Sequence, residues 1–102
     1  PYAAVFGELD GEAVIQKAAV CPGAGGSTMG EALAAGAQVY ITGDISHHEG
    51  IDAVAQGMAV IDAGHYGIEH IFTEFMAKYL MRKLGDAVKV VREKPAFPIQ
   101  IV

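Results

Sequence analysis

Two stretches of this chain superimpose on each other. Residues 31–44 (EALAAGAQVYITGD) and 52–65 (DAVAQGMAVIDAGH) align at an offset of 21, with Ala32/Ala53, Ala34/Ala55, Gly36/Gly57, Val39/Val60 and Gly43/Gly64 identical, five of 14 positions. We read this likeness as two successive helix–strand units meeting the same needs rather than as a duplication: alanine inside the helix, glycine at its end, valine in the strand. Strands that alternate with helices pair in parallel, so we expect an α/β fold, a three-layer sandwich with a mostly parallel sheet. The alignment also places Asp44 and His65 at equivalent positions, just past the carboxyl ends of two strands. In open α/β sheets that edge is where ligands bind.

The elements follow from spacing. Residues 15–21 read as a buried strand, followed by a glycine-rich loop at 22–27. A helix then begins near Ser27 or Thr28, with Met29, Ala32, Leu33 and Gly36 on one face. Ser27, Thr28 and Glu31 offer capping-box chemistry at its start. Residues 39–42 are the next strand. Ser46 caps a helix over 47–56 whose apolar face is Ile51, Val54, Ala55 and Met58. Residues 58–61 form a third strand. One long helix is expected over 65–84, with Ile68, Phe72, Phe75, Met76 and Tyr79 inward and Gly85 as its stop. Arg82 and Lys83 in its last turn suit the helix dipole. Residues 88–91 read as a fourth strand, and Pro95 and Pro98 make the tail irregular.

Composition narrows the class. The 102 residues are 52% apolar and 19% charged, which excludes a disordered chain. One domain of this size buries about 65% of its unfolded surface. No unbroken apolar run approaches the ~18 residues of a transmembrane helix. Seven Lys and Arg against 12 Asp and Glu give a net charge of −5, with no basic cluster to neutralise phosphates, so bulk nucleic acid is not an expected partner. The single cysteine, Cys21, fits a reducing, cytoplasmic setting, and we read it as structural. The chain opens at Pro1 on residues that look like mid-domain sequence, so we expect a fragment of something longer.

Three constellations carry chemistry. His65 and Glu69, at i and i+4 on the first turn of a helix, point the same way, and an imidazole and a carboxylate that converge can share a divalent metal; they can also form an ordinary surface pair. Asp62 is placed either to orient an imidazole or to cap the helix. In Thr42-Gly43-Asp44-Ile45-Ser46-His47-His48, Asp44, His47 and His48 are candidates for moving protons or touching substrate, and the alternative is a capped helix with solvated histidines. The glycine loop has part of a dinucleotide fingerprint, with Asp44 at a suitable distance for a ribose, but position 28 is Thr. Such a turn can hold an anion on its N–H groups or can serve tight packing.

Taken together, Val20-Cys-Pro-Gly-Ala-Gly-Gly-Ser27, Val39-Tyr-Ile-Thr-Gly-Asp-Ile-Ser-His-His48 and Ile61-Asp-Ala-Gly-His-Tyr-Gly-Ile-Glu69 resemble, in order, the C-terminal half of the Nif-three-like family, the dinuclear metal-centre proteins also called type-2 GTP cyclohydrolase I homologues. Pro22-Gly23 departs from the Gly-Gly or Gly-Ser that usually follows the cysteine. The resemblance implies that residues 1–102 are the C-terminal α/β lobe of such a protein, one of two similar lobes facing across a cleft in a hexameric homo-oligomer. It implies two divalent ions (zinc, iron, manganese or magnesium) in the intact protein. Here it carries His65 and Glu69 as ligands, the remaining His pair and Asp belonging to an N-terminal lobe outside this chain. His47 and His48 would line the pocket near the metals. The implied activity is that of a metal-dependent hydrolase on a small-molecule or nucleotide substrate. Two alternatives stay open: a non-enzymatic metal- or nucleotide-binding scaffold for regulation or assembly, and a dinucleotide-binding domain using the glycine loop and Asp44.

Overall fold

A computed structural model of the chain describes residues 3–9, 11–12, 14–93 and 96. Its centre is a four-stranded sheet. The strands are β1 (Ala4–Phe6), β2 (Ala18–Ala24), β3 (Val39–Gly43) and β4 (Ala59–Asp62), in spatial order β1-β4-β3-β2. β2, β3 and β4 run parallel, with Val39 opposite Ala59 and Thr42 opposite Asp62, and β1 closes the sheet antiparallel to β4. This is the α/β, mostly parallel arrangement that the alternating elements dictate.

Side chains alternate across the sheet. Tyr40 and Val60 enter the core on one face with Met29 and Ala32 of α1 (Met29–Ala34) and Ala53 of α2 (His47–Ala55), joined by Ala37 and Met58. α3 (His65–Glu69) lies across β2 and β3, burying Ile68, and α4 (Ile71–Leu84) continues from it. β3 is flanked by strands on both sides, and four of its five residues are buried.

α2 begins as its sequence requires. The Ser46 hydroxyl accepts from the Glu49 N–H at 3.1 Å, and the Glu49 carboxylate accepts from the Ser46 N–H at 2.9 Å, a reciprocal capping box. That bonding holds the Glu49 carboxyl below its ordinary pKa. No such cap forms at α1. There the Thr28 hydroxyl turns instead to the hydroxyl of Tyr40, 2.6 Å away, and the Tyr40 hydroxyl donates to the Gly25 carbonyl at 2.8 Å.

Several expected elements differ. β2 starts and ends three residues later than the apolar pattern suggests, because pairing with β3 resumes past an irregularity between Val20 and Ala24, where Ala24 meets Gly43. Pro22 and Gly23 (φ +74) sit in that irregularity, as expected of a bulge on an edge strand. β1, only three residues long, gave no periodic signal. The long helix is two: at His70 the Thr73 N–H bonds the His70 carbonyl at i+3, and the Thr73 hydroxyl donates to the same oxygen at 2.9 Å. Gly85 does end α4, with φ +57.

Residues 88–91 form no strand. Val88 has extended backbone, but it and Val91 are exposed and, among the described residues, no neighbouring strand pairs with them. β-branched residues favour extended chain, yet a strand also needs a ladder partner. The helix faces shift as well. α2 buries Gly50 and Ala53 and exposes Ile51 and Val54, because Gly50 lies flush against the ring of Phe6. Phe72, Phe75 and Tyr79 are exposed on α4, with Phe75 at 62%. Pro95 and Pro98 lie outside the described residues.

Candidate metal site at the carboxyl edge of the sheet

Because β2, β3 and β4 are parallel, the loops at their carboxyl ends share one edge. β3 ends in Gly43, and the next residue, Asp44, takes φ +54, a left-handed backbone that few residues other than glycine, asparagine and aspartate accept. β4 ends in Asp62, and Gly64 (φ +78) turns the chain into His65, the first residue of α3. The loops touch closely. A Cβ at Gly43 would stand 2.6 Å from backbone atoms of Gly64 and His65, so only glycine allows the approach.

This contact brings Asp44 and His65 together. His65 Nδ1 lies 2.8 Å from Asp44 Oδ2, and His65 Nε2 lies 3.1 Å from Glu69 Oε2, one helical turn on. The imidazole is thus gripped at both nitrogens by carboxylates. All three side chains are about half exposed, at 50%, 56% and 49% in the order His65, Asp44, Glu69. The Asp44 hydrogen bond, and then the negative charge of Glu69, raise the His65 pKa above its ordinary value.

Asp62 does not touch the imidazole. Its Oδ2 accepts from the Ile45 N–H and its Oδ1 from the Gly64 N–H, each at 2.9 Å. Gly23, in the bulge of β2, adjoins the same group: a Cβ there would lie 2.8 Å from Glu69 Oε1 and 3.5 Å from the His65 ring. Sequence spacing pointed to His65 with Glu69 and placed Asp44 at the same edge. It did not reveal that Asp44 touches the ring or that Gly23 adjoins Glu69; the one available signal was the offset of 21 that made Asp44 and His65 equivalent.

His47 and His48 lie on the first turn of α2 with exposed rings meeting edge to face, centroids 5.9 Å apart. Among the described residues no hydrogen bond or ion pair joins either to Asp44, His65 or Glu69. Cys21 is part-buried beside Thr28, whose hydroxyl lies 3.5 Å from its sulfur. The glycine loop packs tightly: a Cβ at Gly25 would collide with the Thr42 and Tyr40 hydroxyls, and one at Gly26 with Glu49.

The donors suit a divalent cation in kind. An imidazole Nε2 whose Nδ1 is held by a carboxylate, beside a second carboxylate, is the arrangement in which histidine ligates zinc and related metals. It is a partial set. Among the described residues no group of three or more His, Cys, Asp and Glu is placed to hold a metal ion, since Asp44 stands behind the ring, on the side away from Glu69. Beside Glu69 runs an apolar groove of about 720 Å³ lined by Val20, Pro22, Ile68, Ile71, Phe72 and Phe75.

A family model described as Duf34/NIF3 (NGG1p interacting factor 3) matches residues 1–95. The chain belongs to the Duf34/NIF3 family. This NIF3 chain is 45% identical over 81 residues to a Streptococcus pneumoniae protein named GTP cyclohydrolase 1 type 2 homolog, covering 79% of this chain and 30% of that one. It is 43% identical over 76 residues to a Lactococcus lactis protein of the same name, covering 74% and 29%. A crystal structure of a Bacillus cereus protein related to NIF3 superimposes over the whole chain with a TM-score of 0.82 and 30% identity, covering 28% of that protein. The NIF3 chain thus spans under a third of the length of these relatives. Among its described residues no helix is long and apolar enough to cross a membrane.

Proposed function

We propose that this chain supplies two ligands, His65 Nε2 and the Glu69 carboxylate, to a divalent-metal site in a hydrolase-like protein akin to the GTP cyclohydrolase 1 type 2 homologs. The observation that carries the reading is the line Asp44–His65–Glu69, with contacts of 2.8 Å and 3.1 Å. Asp44 fixes the ring by holding Nδ1–H, which leaves the Nε2 lone pair for a cation. The Glu69 carboxylate, 3.1 Å from Nε2, would be the second group to hold the cation. Divalent ions bound there would lower the pKa of a bound water and so supply a nucleophile near neutral pH.

Two donors do not saturate a cation, so the reading places the remaining ligands on a second lobe facing this edge. The apolar groove beside Glu69 supports that placement, because exposed apolar surface of this kind marks a contact face. In this reading the chain is the C-terminal lobe, the metals number two (zinc, iron, manganese or magnesium), the assembly is a homo-oligomer such as a hexamer, and the substrate is a small molecule or nucleotide. Asp44, already committed to the ring, acts through His65; His47 and His48 face solvent from the neighbouring helix turn, where they would meet substrate rather than metal.

The test replaces His65 and Glu69 by alanine in the intact protein and measures bound metal by elemental analysis. Each replacement is expected to remove most of it, and unchanged metal content overturns the reading. The shortage of ligands among the described residues favours a second reading for the chain taken alone, a metal- or nucleotide-binding scaffold without catalysis. Metal analysis of the 102-residue chain beside the intact protein separates the two.

A further inference from the structure

The Asp44–His65 contact joins two different loops, one leaving β3 and one leaving β4. Such loops are the least constrained parts of a fold. Asp44 also occupies a left-handed backbone, φ +54, that its neighbours must hold in place. Something has to fix the separation of these loops to within the tolerance of a 2.8 Å contact.

Asp62 has the required geometry. The residue after Asp44 is Ile45, and its N–H donates to Asp62 Oδ2 at 2.9 Å. The residue before His65 is Gly64, and its N–H donates to Asp62 Oδ1, also at 2.9 Å. One part-buried carboxylate therefore grips the backbone on the far side of each partner. Asp62 is the last residue of β4 and pairs with Thr42 of β3, and the Ala63 N–H bonds the Thr42 carbonyl at 2.8 Å. The carboxylate is thus mounted on the rigid sheet. Neither N–H has another acceptor among the hydrogen bonds of the described residues, so these two amides, one in each loop, are held by this side chain.

We infer that Asp62 is a positioning residue for the metal site: its two oxygens staple the β3–α2 and β4–α3 loops so that Asp44 meets His65 Nδ1. This rests on the reading of His65 as a ligand. Only a carboxylate suits the role. An asparagine offers one oxygen, and its NH₂ would face the other N–H, donor against donor.

The test uses Asp62→Asn in the intact protein, with Asp44→Asn and the double variant. Zinc affinity, measured by calorimetry, is expected to fall about tenfold to a hundredfold in Asp62→Asn, the range for groups that orient a ligand, with circular dichroism showing a retained fold. The double variant is expected to bind no more weakly than Asp44→Asn, because both remove the same support. A crystal structure of Asp62→Asn is expected to show Asp44 and His65 drawn apart. An unchanged separation, or losses that add in the double variant, overturns the inference. If the unsubstituted protein binds none of zinc, iron, manganese and magnesium, the metal reading falls, while the Asp44–His65 separation still decides the staple. Should Asp62→Asn not fold, amide exchange in the unsubstituted protein decides: Ile45 and Gly64 are expected to be protected, and exchange at either as fast as in an open loop overturns the inference.

Discussion

His65 and Asp44 meet 2.8 Å apart across the adjacent β3–α2 and β4–α3 loops, from positions 21 residues apart that the chain repeats in its two helix–strand units. Asp44 directly follows β3, and His65 follows β4 after Ala63 and Gly64. The parallel register of β3 and β4 sets the turns side by side, and Gly43 lets them touch.

Removing the Asp44 charge should release the imidazole. In Asp44→Asn the His65 pKa is expected to drop toward its ordinary value near 6.5, since the largest cause of its rise is that hydrogen bond. The sign for stability follows. A pKa raised by folding stabilises the native state fully below the ordinary value, and the gain is lost as pH climbs through the raised value. A thermal melt of the unsubstituted protein should therefore lose stability over that window, and Asp44→Asn should lose less. Proton NMR of the ring reads the pKa directly, and an unchanged value refutes the prediction.

Protons and metal would compete for His65 Nε2. Metal affinity is expected to weaken as pH falls below the raised His65 pKa, and to weaken over a lower range in Asp44→Asn. Zinc titrations at a series of pH values check it.

Gly23→Ala should damage site and fold together. The new Cβ would crowd Glu69 Oε1 at 2.8 Å, on a backbone with φ +74. The left-handed conformation alone costs about 1–2 kcal/mol for alanine. We expect that loss in urea unfolding, accompanied by weaker metal binding.

The core and the face of α4 should respond differently. Met58 is wholly buried, and Met58→Ala is expected to cost about 2–5 kcal/mol. Phe75 is 62% exposed, and Phe75→Ala in the isolated chain should stay within about 0.5 kcal/mol. Paired denaturation curves measure both. Ser46→Ala falls between, at about 1 kcal/mol, through the lost cap of α2.

What could be read in advance depended on the range of the forces involved. Local signals spoke clearly: Ser46 caps α2, Gly85 ends α4, and β3 and β4 lie within a residue of the spans that valine and isoleucine suggest. Signals that need a distant partner did not. Ile51 and Phe72 carry helical periodicity, but which face turns inward was decided by Gly50 against Phe6 and by the placement of α4. Residues 88–91 have strand composition and, among the described residues, no strand to join. At the site, the His65–Glu69 spacing is local and was legible. The Asp44 contact and the two-handed role of Asp62 depend on strand register, which no local pattern encodes.

The left-handed turn at position 44 also filters how this loop can drift. Of the residues at ease there, glycine brings no side chain and asparagine brings no charge. Glutamate keeps the charge but meets an unfavourable backbone. A lineage that retains the acid behind the imidazole thus has aspartate alone to choose from.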